Sequence, residues 1–508
     1  MQKIPFNELV NVVVEKDGLV ELNADILDSP LANIDNMPVK IKDRNWSLWS
    51  LACLWIGMAV CIPTYMLGAG LIDQGMNWWQ AILTITLGNF IVLIPMVLNA
   101  HAGTKYGIPF PVLLRSSFGV RGANIADIMR ALVACGWFGI QTWIGGDAIY
   151  QLLCKTFCPS FSELSKIPFI GLNLAQLGCF LLFWLINMLI IYKGIGSIKV
   201  FENLSAPFLI IIGLGLLYWA YNEGGGFGPM FVTTTKFASK KEFFKVFVPG
   251  LTAMVGFWAT LSLNIADFTR YTKSQKAQVI GQFLGLPTTM AFYSFIGIAV
   301  TSATIVIYGK AIWDPIDLLA HFNTLLLVMI SLVSLSIATL TTNLAANVVA
   351  PANNFSNLAP KKISFKTGGF ITGIIGIVIM PWKLIETTNA YIYTWLIGYS
   401  ALIGPICAIM VCDYYLIQRT RLDLLELYKP DGKYRFYRGF NLAAIISLVV
   451  GIIPNIPGFL CAGGIISKEH VPQFFIEMYS YAWFIGFIIA FILYAVLYKV
   501  IRYERGIK

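Results

Sequence analysis

The sequence predicts an all-α integral membrane protein with about twelve transmembrane helices. Three observations carry that expectation. Only 12% of the 508 residues are charged and 57% are hydrophobic, whereas a soluble domain carries about 25% charged residues. Long stretches hold no charge at all, among them 46–72, 74–100, 277–309 and 439–467, and a spanning helix needs roughly 20 apolar residues. Barrel strands would be shorter and would alternate. Finally, Lys and Arg are unevenly spread. With the N-terminus placed inside, 26 of the 36 fall on the inner side, including Lys105, Arg115, Lys273, Arg421 and Arg438, and nine fall outside, such as Lys155, Lys310 and Lys468. This follows the positive-inside rule, with both termini cytoplasmic and the plasma (inner) membrane as the expected site. The basic balance is therefore a topology signal, and no nucleic-acid partner is expected.

Along the chain, residues 1–46 are polar, with acids such as Glu8, Glu15, Asp17, Glu21 and Asp25. They read as a partly ordered cytoplasmic segment without a basic-then-apolar signal peptide. Spans are expected near 47–71, 78–100, 124–152, 169–192, 199–222, 246–268, 279–307, 325–350, 367–383, 388–414, 439–459 and 477–500. The first ten form a core over 47–414. A cytoplasmic loop at 415–438 leads to two further helices within 439–500, and 501–508 form a cytoplasmic tail.

Particular spans justify themselves differently. The first holds Gly57 and Pro63 at mid-membrane. The loop from His101 to Gly122, rich in Gly, Pro and basic residues, reads as a structured cytoplasmic connection. The third is short on charge-free residues and must absorb Arg130 or Asp147. The sixth holds Gly250 and Gly256. Breakers leading two successive groups of five spans mark the binding site of an inverted-repeat carrier, because opened backbone at that depth is tolerated where it lines a cavity or is buried in protein. The plainer alternative is that these glycines and the proline only aid packing. The eighth ends in a polar tail from about Pro351.

Chemistry concentrates in the third and eighth spans. Trp137 and Gln141 are four residues apart and share a helix face. An indole stacks on a flat ring, and an amide both donates and accepts. The pair suits a planar, neutral heterocycle such as a nucleobase, allantoin or hydantoin. In the eighth span Ala338, Thr341 and Thr342 form one stripe, and Asn343 and Asn347 a neighbouring one. Asp127 and Arg130 are spaced i, i+3 at the inner end of the third span, and Asp267 and Arg270 repeat that spacing after the sixth. Ionisable groups at such depth are candidates for proton or gate charges, with plain ion pairing as the alternative. Asp147 and Glu202 are further proton-carrier candidates.

Four stretches resemble the first nucleobase:cation symporter family. They are His101 to Gly122, the Cys135-Gly-Trp-Phe-Gly-Ile-Gln-Thr-Trp-Ile-Gly-Gly146 segment, Gly256-Phe-Trp-Ala-Thr-Leu-Ser-Leu-Asn-Ile-Ala-Asp-Phe-Thr-Arg-Tyr271 and Thr341-Thr-Asn-Leu-Ala-Ala-Asn-Val-Val-Ala-Pro351. The resemblance covers roughly 45–420 and is strongest to the allantoin permease and plastid nucleobase branches. It implies a LeuT-type five-plus-five inverted repeat with two added C-terminal helices, and a secondary active symporter using alternating access.

The resemblance further implies that Trp137 and Trp258, with Phe257 beside the latter, sandwich the substrate, and that Asn347 is a second amide ligand. It implies a sodium site from the carbonyls of Gly57, Val60 and Ala338 and the hydroxyls of Thr341 and Thr342, although proton-coupled relatives retain similar residues. The position of a third amide ligand is occupied here by Cys61, whose thiol lacks an amide's paired groups. None of these ligands carries a fixed charge, so a neutral substrate is expected.

Other classes find less support. No nucleophile–base pair, metal cluster or phosphate loop suggests a membrane-embedded enzyme, and no cofactor is expected beyond a coupling ion, Na⁺ or H⁺. The cysteines are scattered. Cys154 and Cys158 sit together at an outer helix end, as an inert pair or a disulfide. A passive channel or facilitator is disfavoured by breakers at matching depths.

Overall fold

The computed structural model describes residues 13–504 except 25, 194, 233–234, 323 and 360, and the side chains at 195–206, 208, 320, 327, 345 and 502–504 also lie outside the description. Glu8, Asp25 and the side chain of Glu202 thus fall beyond it. Among the described residues nine helices are long and apolar enough to cross a membrane, one bent pair passes as a tenth span, and two shorter apolar helices, Leu209–Glu223 and Phe365–Val378, complete the expected set.

The chain opens with a hairpin, β1 (Val13–Lys16) and β2 (Leu19–Leu22), which the all-α expectation omitted. Asp17 and Gly18 turn it at φ +54° and +74°, the left-handed geometry that tight hairpins favour. Val20 and Leu22 are buried against the helical body. Arg44 then anchors the segment. Its guanidinium donates to the carbonyls of Val20, Val39, Thr104 and Lys105 at 2.6–3.1 Å. Burial lowers its pKa to about 10, against the opposing pull of Glu21.

The first span is two helices, α1 (Leu48–Ala59) and α2 (Ile62–Asp73), bent by 61°. Ser47 and Ser50 cap α1 reciprocally. The helix stops because Pro63 has no N–H to offer the preceding turn, and Pro63 instead occupies the first turn of α2, where none is needed. Then follow α3 (Trp78–Tyr106), α4 (Phe110–Phe118), α5 (Ala123–Thr156), α6 (Leu174–Lys193), α7 (Ile195–Glu223) and the short α8 (Phe227–Val232). At about 1.5 Å per residue, the 34-residue α5 is longer than the bilayer core is thick. Arg130 consequently lies two turns inside it and fully buried.

The sixth span corrects an expectation. α9 (Lys240–Asn264) runs unbroken past Gly250 and Gly256 and is followed only by the short α10 (Ala266–Thr269). Gly256 is there for close approach. A methyl at that position would sit 2.8 Å from the Leu396 carbonyl oxygen and 3.2 Å from Ser400, and the Gly256 carbonyl accepts the Tyr399 hydroxyl at 2.8 Å. The glycine serves helix packing, the plainer of the two readings.

The second half continues with α11 (Gln275–Tyr308), α12 (Pro315–Ala320), α13 (Leu325–Asn347) and α14 (Val349–Leu358). The tail expected from about Pro351 is therefore helical. After α15 (Phe365–Val378) and α16 (Pro381–Leu384), the tenth span starts as a π-helix, Ala390–Leu396, becomes α17 (Ile397–Cys412) and ends as a second π-turn, Asp413–Ile417. Such π-turns occur frequently at functional sites. The remaining helices are α18 (Leu442–Ile452), α19 (Ile456–Ala462), α20 (Gln473–Tyr479) and α21 (Ala482–Glu504). α2 packs along α11, α5 along α13, and α17 along α21.

Candidate functional site

Between the bend of the first span and helices α5, α9 and α13 lies a small cavity of about 40 Å³. Trp137, Gln141, Phe257, Trp258, Asn347 and Cys61 all line it. The structure thus brings together every substrate-site candidate from four separate spans. Met58, Pro63, Ala134, Thr260, Leu261 and Ala346 fill the gaps. Ligand pockets usually measure about 300–1,000 Å³, so in this conformation the space is large enough for water and too small for a ring.

The aromatic side chains of the cavity meet edge to face. Trp137 and Phe257 meet edge to face, with centroids 5.1 Å apart and planes at 81°. Phe257 stands perpendicular to Trp258 at 5.0 Å, and Trp258 is edge-on to Trp55 at 5.1 Å. Phe257 therefore touches both of the indoles expected to sandwich a ring. Behind Trp137, the tenth span adds Tyr391, Trp395 and Tyr399, all roughly perpendicular to it with centroids within 6.4 Å. Sequence reasoning missed these three. Their spacing at i, i+4 and i+8 was the available signal.

Several buried polar atoms here have no hydrogen-bond partner among the described residues: Gln141 Oε1, Trp258 Nε1, Trp55 Nε1 and Arg130 Nε and Nη1. Such atoms are rare in native proteins and ask for an explanation. Asn347 donates to Asn343 Oδ1 at 3.1 Å, while Asn343 itself is spent on Phe138 O, Thr142 and Asn187. Asn343 is thus a strut joining α13 to α5 and α6, and Asn347 faces the cavity.

Arg130 corrects the expectation of a site without fixed charge. It lines the same cavity and is 1% exposed. The ion pairing weighed as the alternative for these four residues is not seen among the described residues either. The ion pairs found among the described residues are Lys429–Glu426 and Arg435–Asp431, and none involves Asp127, Arg130, Asp267 or Arg270. Asparagines intervene instead. Arg130 donates to Asn264 Oδ1 at 3.0 Å, and Asn264 donates to Asp267 Oδ2 at 3.1 Å. In a second relay Arg115 donates to Asn357 Oδ1 at 3.1 Å, and Asn357 donates to Asp127 Oδ2 at 3.2 Å. Burial lowers the pKa of Arg115. Asp267 also accepts the Phe110 N–H at 2.8 Å. Arg270 turns away to the Asp35 carbonyl and the Tyr271 hydroxyl, both at 2.8 Å.

The cation candidates lie on α1, at its C-cap Val60 and on α13, and the two helices touch. The bend releases two carbonyls from the helix ladder. Cys61 N–H, which would reach Gly57 in an unbroken helix, donates to Ala59 O, and Thr64 N–H, which would reach Val60, donates to Cys61 O. Cys61 Sγ lies 3.3 Å from the Thr64 hydroxyl. The hydroxyls of Thr341 and Thr342 both donate to Ala338 O, at 2.7 and 3.0 Å. That back-bonding is common for threonine in helices, and it gathers three oxygens in one place.

Comparison with known proteins follows the same lines. The family described as permease for cytosine/purines, uracil, thiamine, allantoin matches residues 38–486. The chain is 47% identical over 470 residues to the purine-uracil permease NCS1 of Arabidopsis thaliana, covering 92% of this chain and 78% of that one. It is 38% identical over 472 residues to the allantoin permease of Bacillus subtilis (strain 168), covering 92% and 94%. Its fold matches solved structures of Mhp1, a nucleobase-cation-symport-1 family transporter. One is closed with bromovinylhydantoin bound, with TM-score 0.74 at 23% identity over 93% of this chain and 96% of that one. The other is inward facing, with TM-score 0.75 at 24% identity over 94% and 95%.

Proposed function

Because the chain belongs to the permease family for cytosine and purines, uracil, thiamine and allantoin, we propose that it moves a planar nitrogen heterocycle of the nucleobase, allantoin or hydantoin class across the membrane, coupled to Na⁺ or H⁺. It is an integral membrane transporter and not an enzyme, built as a five-plus-five inverted repeat with two further C-terminal helices. The observation that supports the substrate class is the convergence of Trp137, Gln141, Trp258, Phe257 and Asn347 on one cavity with unpaired amide, indole and guanidinium groups.

The cycle follows from that geometry. Phe257 swings away from the two indoles it touches, and the ring takes its space. The Gln141 and Asn347 amides read the ring's edge, and Cys61 leaves the remaining edge to weaker contact. Arg130 supplies N–H groups to an acceptor such as a ring carbonyl. The cation sits between the Gly57, Val60 and Ala338 carbonyls and the Thr341 and Thr342 hydroxyls, replacing the present back-bonds. The relay through Asn264 holds the inner side shut until α5 and α9 part, while the relay through Asn357 ties α5 to α4 and α14. The N- and C-termini lie on the cytoplasmic side of the plasma (inner) membrane, as the Lys and Arg asymmetry argues.

Uptake by proteoliposomes tests the proposal. Labelled uracil, adenine, hydantoin and allantoin are offered with an imposed Na⁺ or proton gradient. Accumulation above the outside concentration, with the compound recovered unchanged, supports a coupled carrier. Equilibration without accumulation under either gradient would make it a passive facilitator.

A further inference from the structure

A second cavity, of about 630 Å³, lies far from the first along the chain, framed by the loop after the tenth span and the ends of α18 and α21. Arg421, Lys433 and Arg435 form its polar wall, and Ile417, Phe436 and Ile501 its apolar one. No carboxylate lines it. Arg435 pairs with Asp431 at 2.8 Å, but both are exposed, at 54% and 80%, so water screens that pair. Arg421 and Lys433 make no ion pair among the described residues. Lys433 Nζ lies 5.4 Å from the Tyr434 ring. The nearby Glu426 is occupied by Lys429 at 2.9 Å and by the backbone N–H of Lys433 at 2.7 Å.

The frame of this cavity is strained. Arg419, Thr420, Phe436 and Arg438 all have positive φ, between 49° and 59°. Non-glycine residues adopt that conformation at a cost and keep it where the surroundings enforce it, often at ligand clamps. Beside the apolar wall, Leu416 and Ile446 are 55% and 44% exposed.

We propose that this cavity holds the headgroup of one anionic phospholipid. Its phosphate diester sits against Arg421 and Lys433, and its acyl chains run from Ile417 and Phe436 down the exposed face of α18 at Ile446. Charge and position favour this occupant. Basic pockets between transmembrane helices bind anionic headgroups, and a free phosphate would use the cations but leave the apolar wall bare.

Native mass spectrometry and melting of the detergent-purified full chain test the proposal with three probes: phosphatidylglycerol, phosphatidylcholine and inorganic phosphate. Phosphatidylglycerol should be retained and should raise the melting temperature, and the other two should do neither. Each cation removed should weaken its binding about fivefold, so Arg421→Ala with Lys433→Ala should lose about 25-fold. Lys433→Arg should keep the affinity, and Lys310→Ala, on another loop, should leave it unchanged. Equal retention of phosphatidylcholine would overturn the proposal, as would unchanged affinity in the double variant. Inorganic phosphate matching the lipid's effect would overturn it in favour of a free anion.

Discussion

The Arg130 guanidinium donates to the carboxamide oxygen of Asn264 at 3.0 Å, tying the third span to the sixth at the edge of the cavity. Asn264 passes the link on to Asp267. Hydrogen bonds to charged groups contribute about 1.5–3 kcal/mol, so this tie can bias a conformational equilibrium by about one to two powers of ten. Asn264→Ala should therefore slow uptake at least about tenfold and raise labelling of the native Cys61 thiol, which lines the cavity, by a water-soluble maleimide read by peptide mass spectrometry. Uptake and Cys61 labelling like those of the unmodified protein would show that the tie is not a latch.

Coupling rests on the span-eight hydroxyls. Thr342→Ala removes one proposed cation oxygen but leaves Thr341 bonded to Ala338 O. Stimulation of uptake by a Na⁺ gradient should weaken, with the half-saturating Na⁺ concentration rising about tenfold, and Thr342→Ser should restore it. A variant unchanged in Na⁺ response, with uptake following a pH gradient, would assign the coupling to protons.

The seam between α2 and α11 leaves no room for a methyl at Gly297, whose added Cβ would collide with the Tyr65 carbonyl oxygen. Alanine favours a helix over glycine by up to about 1 kcal/mol, but overpacking costs about 1–3 kcal/mol, and the obstacle here is backbone. Gly297→Ala should lower the melting temperature of the purified protein. An equal or higher value would mean that the seam adjusts freely.

Asp314 caps α12 by accepting the Ile316 N–H at 2.8 Å. Burial, reinforced by the charge of Asp317, raises its pKa from 3.8 to about 7. The folded protein therefore holds a proton that the unfolded chain releases near pH 4, and stability from this group falls as pH rises between about 4 and 7. Asn keeps the cap without the charge. Asp314→Asn should gain most in melting temperature at pH 8 and least at pH 4. A gain independent of pH would sink this account.

The spans were legible because a bilayer forces the chain into long apolar helices whatever its tertiary contacts. The Trp137–Gln141 face was legible because a four-residue spacing is local. The bend at Pro63 was legible because a missing N–H acts on its own helix. Gly256 misled because its reason is Leu396, far along the chain. Arg130 was legible as a charge within the third span, but its place on the cavity was not, because that depends on Asn264, 134 positions along the chain. The relays through Asn264 and Asn357 join residues more than a hundred positions apart, which no local pattern encodes. The hairpin was signalled by Asp17-Gly18 but hidden in a polar segment.

Equilibrium binding to the purified protein reaches the central claim most directly. Trp137→Ala should weaken binding of whichever labelled heterocycle the unmodified protein takes up, by about 5- to 150-fold, the equivalent of about 1–3 kcal/mol per stacked base, while the protein still expresses and unfolds cooperatively, at a lower melting temperature because a buried side chain is lost. A Trp137→Ala protein that is folded and binds that compound with undiminished affinity would contradict the account.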